Sequence, residues 1–83
     1  MERSRTICID NLPLWATAQN LKELSSTYGR VLSARVVESV DGLPLGYGFV
    51  EMETWDEATQ AKQALHGRKH FGGQLFVSTY MMC

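Results

Sequence analysis

The chain has 83 residues, 45% of them hydrophobic and 20% charged, enough for one small core and one domain. Eight Lys and Arg against nine Asp and Glu give a net charge of −1, which excludes a strongly basic nucleic-acid binder and leaves local charge to support only modest affinity. The two cysteines, Cys8 and Cys83, lie at the far ends with no framework spacing, and no long apolar run reads as a signal peptide or membrane span. A reducing, cytoplasmic setting is the expectation.

In chain order, residues 1–4 read as a short N-terminal arm, and Arg3 and Arg5 make this end basic. Thr6-Ile7-Cys8-Ile9-Asp10 alternates, which predicts a strand with Ile7 and Ile9 facing inward. Asn11-Leu12-Pro13 ends it, with Asn11 as a turn residue. Thr17 can cap a helix carrying Leu21, Leu24 and Tyr28 on one face, with Gly29 just past its end. Residues 31–38 read as a valine-rich strand with Ala34 and Val36 toward the core, followed by a turn centred on Asp41-Gly42.

A third strand covers residues 45–52. Thr54-Trp55-Asp56-Glu57 is a capping-box sequence, and the helix behind it runs to about residue 66, burying Ala58, Ala61 and Leu65 and stopping at Gly67. A loop containing Gly72-Gly73 leads to a strand over residues 74–80. Leu75, Val77 and Thr79 share one face of that strand, and Phe76, Ser78 and Tyr80 share the other. Residues 81–83 remain as a tail.

The order β-α-β-β-α-β predicts an α+β, ferredoxin-like split βαβ fold, a four-stranded antiparallel sheet with two helices on one face. The opposite face stays open. On the third strand Tyr47, Phe49 and Glu51 point one way, and Gly48, Val50 and Met52 the other. Two neighbouring rings on an uncovered face suit a flat ligand, and nucleobases are the obvious one. Gly46 and Gly48 weaken a strand interior, so they mark a close approach of backbone or ligand.

Two runs then carry a resemblance. Gly46-Tyr47-Gly48-Phe49-Val50 on the third strand and Ile7-Cys8-Ile9-Asp10-Asn11-Leu12 on the first match the octamer and hexamer of the RNA-recognition motif, at the right separation. The chain resembles that family over residues 5–80, and its Gly48-Phe49-Val50-Glu51-Met52 run is similar to small stand-alone bacterial members. Three positions depart from the pattern. Cys8 stands where an aromatic is usual, Leu45 where a basic residue opens the octamer, and Ser25 where the first helix usually buries an aromatic. The loop before the octamer, usually basic, is acidic and apolar here. Trp15 is the candidate to fill the space at Ser25.

The resemblance implies a ligand and a site. Tyr47 and Phe49 stack bases, Phe76 and Tyr80 extend the platform, and Cys8 and Asp10 on the first strand complete the RNA-binding set. Arg35 meets a phosphate, while Arg3, Arg5 and Lys69 track the backbone at the edges. The ligand is single-stranded RNA, with single-stranded DNA as the near alternative; no cofactor and no membrane are implied.

Other readings of the same residues stay open. The aromatic face could bind a protein or a second copy of the chain, Phe76 could lie under the tail that begins at Tyr80, and Arg35 could be a solvated strand charge. Cys8 reads as a filler and not a nucleophile, because no base is placed beside it by a local motif. His66 and His70 have metal-ligand spacing, but Gly67 interrupts it. Two enzyme or carrier classes of this fold and size are excluded at Asp10-Asn11-Leu12-Pro13. It lacks the arginine loop of acylphosphatases and the Cys-x-x-Cys of copper carriers.

Overall fold

The computed structural model describes residues 4–80. Eight elements follow one another: β1 (Thr6–Asp10), α1 (Ala18–Ser25), β2 (Val31–Glu38), β3 (Pro44–Met52), α2 (Trp55–Leu65), β4 (Lys69–His70), β5 (Gly73–Gln74) and β6 (Phe76–Thr79). The four long strands make one antiparallel sheet in the order β2-β3-β1-β6, so the two strands with the motif runs are its centre. The α+β ferredoxin-like fold is thus the one expected.

The core lies between the sheet and the two helices. Ile7 and Ile9 of β1, Val50 and Met52 of β3 and Leu75 and Val77 around β6 are buried against Leu21 of α1 and Ala58, Ala61 and Leu65 of α2. Both helices begin with a reciprocal capping box. Thr17 accepts from the Asn20 N–H while Asn20 Oδ1 accepts from the Thr17 N–H, and Thr54 and Glu57 do the same. The second box follows the expected Thr-to-Glu pattern; the first is closed by Asn20 in place of the usual Glu or Gln, so only its Thr17 is a sequence signal.

Gly48 has a structural cause. A Cβ there would lie 2.5 Å from the Arg35 carbonyl oxygen and 2.7 Å from Leu21 Cδ1. The closest obstacle is backbone of the neighbouring strand β2, so the glycine permits the tight β2–β3 pairing, with Leu21 of α1 packed beside it on the helix side. Gly46, at φ +85°, is needed for its backbone conformation, and its carbonyl accepts from the Leu12 N–H at 2.8 Å.

Several expectations change in detail. Helix α1 ends at Ser25, so Tyr28 packs on the core from the following turn. The segment 74–80 is not one strand. Gly73–Gln74 pairs with Lys69–His70 in a small hairpin, and only Phe76–Thr79 joins the main sheet. Asn11, at φ +65°, is the turn residue anticipated, and it also ties that hairpin to β1 by donating from Nδ2 to the Gln74 carbonyl at 2.7 Å. Trp15 does not fill the space at Ser25. It is 62% exposed and packs edge-to-face on Phe71, with ring centroids 5.5 Å apart. Ser25 is fully buried, and its hydroxyl has no hydrogen-bond partner among the described residues. No helix among the described residues is long and apolar enough to cross a membrane.

Candidate nucleic-acid interface

Strand alternation and helix placement together build the candidate surface. Because Ile7 and Ile9 are buried, Thr6, Cys8 and Asp10 face away from the helices; because Gly48, Val50 and Met52 are buried, Tyr47, Phe49 and Glu51 do too. Strand register sets these side chains in rows. Phe76, Asp10 and Tyr47 are Cα partners in one row, and Ser78, Cys8, Phe49 and Arg35 in the next.

The rings form a chain of edge contacts. Tyr47 and Phe49 meet at 6.0 Å and 88°, and Phe49 and Tyr80 at 4.8 Å and 67°. Tyr80 continues from β6, its N–H donating to the Thr6 carbonyl at 2.8 Å. Its ring must therefore cross β1 to reach Phe49. The short Cys8 side chain at that crossing leaves the room, so a ring from the fourth long strand stands near the position where the resemblance leads one to expect a ring from the first. Sequence reasoning placed Tyr80 on this face but missed the substitution. The signal was a small residue in the central strand with an aromatic at the end of its neighbour.

Cations behave in two ways. The Arg35 guanidinium lies 5.2 Å from the centroid of Phe49, a cation–π arrangement that places it over the platform. Arg5 is instead drawn to Glu51, at 3.5 Å, and donates to the Glu53 carbonyl, so acid partly cancels its charge. Arg3 lies outside the described residues, as does the tail 81–83. Lys69 stands exposed on the small hairpin.

Phe76 is 48% exposed, and its described ring partner is His66, at 6.1 Å. It does not lie against Tyr80 in the ring contacts, which run from Tyr80 to Phe49. His66 also uses Nδ1 to accept the Val77 N–H at 2.9 Å. That bond gives the histidine a structural task, anchoring β6 to the end of α2. Among the described residues no group of three metal-ligating side chains comes together. Burial, and secondarily the charge of Asp10, pushes the Cys8 thiol up from its ordinary range. The sulfur is thus held in the neutral, poorly nucleophilic form.

The two motif strands lie side by side at the sheet centre with their rings outward, and the RNA recognition motif family model matches residues 7–75. The chain belongs to the RNA recognition motif family. It is 39% identical over 77 residues to multiple RNA-binding domain-containing protein 1 of Dictyostelium discoideum, covering 93% of this chain and 8% of that protein. It is also 39% identical over 79 residues to the human cleavage stimulation factor subunit 2 tau variant, covering 93% of this chain and 13% of that protein. The chain thus spans about a tenth of the length of these curated relatives, both eukaryotic. Among solved structures, the RNA binding protein PG1 superposes with a TM-score of 0.91 at 33% identity, over 96% of this chain and 98% of that one.

Proposed function

We propose that this RNA recognition motif binds single-stranded RNA on the uncovered face of its sheet, stacking bases on Tyr47 and Phe49. One observation carries the reading: two partly exposed rings stand on adjacent outward positions of a central strand whose other side is buried under helices. Each stacked base contributes about 1–3 kcal/mol. Tyr80 extends the platform beside Phe49, and Phe76 forms a second contact area at the far end of the Asp10 row. Arg35, fixed over Phe49, meets the phosphate that follows a base stacked there. Arg5 and Lys69 contribute at the margins.

The chain works as a binding module without a catalytic step or cofactor, in a cytoplasmic setting and without a membrane partner. Single-stranded DNA is a second ligand for the same rings, since stacking does not need the 2′-hydroxyl. Kinship with small stand-alone bacterial members belongs to this proposal too; its support is the Gly48-Phe49-Val50-Glu51-Met52 run.

Titration of short mixed-sequence RNA and DNA pools at two salt concentrations tests the reading. Wild type should bind saturably, with a log–log salt slope of about −0.7 per neutralised phosphate. Tyr47→Ala/Phe49→Ala should abolish binding while the protein stays folded. Salt-independent association with protein, and none with RNA at low salt, would instead assign the face to a protein partner.

A further inference from the structure

Stacking rings and a cation explain affinity for any sequence, but one group on the face points to selectivity. Asp10 ends β1 with its side chain exposed, and its Cα partners are Tyr47 on one side and Phe76 on the other. The carboxylate thus stands in the row between two ring-bearing positions. Oδ1 accepts the Asn11 N–H at 3.0 Å, which fixes the group beside the strand end. Among the described residues no cation pairs with it. Arg5 is held by Glu51, Arg30 by Glu53, and Arg35 lies over Phe49. Its charge reaches along β1 and helps to keep Cys8 protonated.

An uncompensated carboxylate at this place repels phosphate, so the backbone of a bound strand must pass elsewhere. What it attracts is an N–H donor. A base stacked on Tyr47 presents an edge within the same row, and the four bases differ sharply there. Guanine offers two adjacent donors, N1–H and the N2 amino group, which match both oxygens of a carboxylate. Cytosine and adenine each offer one amino group beside an acceptor. Uracil offers a single N–H between two carbonyl oxygens that face the carboxylate unfavourably.

We propose that Asp10 is a specificity-determining acceptor that selects guanine at the Tyr47 stacking position and disfavours uracil there. This rests on the open face being the RNA platform. The selection is local to one nucleotide, so the neighbouring position on Phe49 remains tolerant. It also turns the missing basic charge into a functional feature, in which the face gives up phosphate attraction for base discrimination.

The test is fluorescence anisotropy with a short uridine oligomer, the same oligomer carrying one central guanosine, and a third carrying inosine, which lacks the N2 amino group. Wild type should prefer the guanosine oligomer by roughly 5- to 50-fold over uridine, with inosine between them. Asp10→Asn removes the charge and puts a donor beside the acceptor. It should tighten the uridine oligomer and reduce the preference to less than about threefold, with unchanged thermal melting of this exposed position. If Asp10 only repels phosphate, Asp10→Asn will tighten all three oligomers by the same factor, and the inference is overturned. An equal affinity of wild type for all three, with binding still lost in Tyr47→Ala/Phe49→Ala, overturns it while leaving the platform intact. Absence of binding to any oligomer at low salt takes down both.

Discussion

On the helix side of β3, Gly48, Val50 and Met52 are fully or almost fully withdrawn from water, whereas on the other side Tyr47, Phe49 and Glu51 remain partly exposed. The backbone is the same and the residues alternate one by one. The helix side tolerates no added atom at Gly48, and its contacts are with Leu21 and the neighbouring strand. The open side has rings touching at their edges and a guanidinium resting over one of them. Tight complementarity on one face and partial exposure on the other divide the work. One face holds the sheet in shape, and the other presents a shaped surface to a ligand.

Substitutions on the two sides should therefore separate stability from binding. Ile9→Ala removes a fully buried side chain from β1 and should lower stability by about 2–5 kcal/mol. Denaturant unfolding will show this, and RNA affinity per folded molecule should be unchanged. Gly48→Ala drives a methyl group against the Arg35 carbonyl of β2 and the Leu21 side chain of α1 and should cost about 1–3 kcal/mol. Its melting temperature should fall, whereas Tyr47→Ala, one residue away, should leave melting nearly unmoved. A Gly48→Ala protein with normal melting would break the division of labour between the faces.

Smaller effects sharpen the open face. Arg35→Gln should weaken RNA binding modestly and make the salt slope shallower by about 0.7. An unchanged slope would mean that the guanidinium serves Phe49 alone. The raised Cys8 thiol predicts slow chemistry. At mildly alkaline pH the folded protein holds more of this sulfur protonated than the unfolded chain does, so alkylation of Cys8 should be slower folded than unfolded. The sign follows for stability as well: the unfolded state releases this proton first, so stability declines as pH rises through the ordinary thiol range. Peptide mapping distinguishes Cys8 from Cys83, and bound RNA should slow the reaction at Cys8 further.

Much of this arrangement was legible in the chain itself. Alternation in the strand pairs 7/9 and 48/50/52, the two capping boxes' threonines and Gly67 at the end of α2 are local signals, governed by backbone period and end effects. They were enough to give the order of the two helices and the four strands of the main sheet, the α+β fold and the outward rings. Local signals failed where partners were distant. Trp15 and Ser25 are ten positions apart, and nothing in their spacing says that the tryptophan would turn outward onto Phe71. The break at Leu75 depended on a hairpin held by Asn11, more than sixty residues away.

Which residue types could form a stacking face was determined by the sequence alone, because alternation in a strand fixes sidedness without reference to any other element. Which of them work together was decided by the tertiary structure. Only the strand order β2-β3-β1-β6 carries Tyr80 over Cys8 to Phe49, holds Arg35 above the same ring and leaves Asp10 between Tyr47 and Phe76. Those neighbours come from strands far apart in the chain, and hydrogen-bond register across the sheet is what sets them side by side.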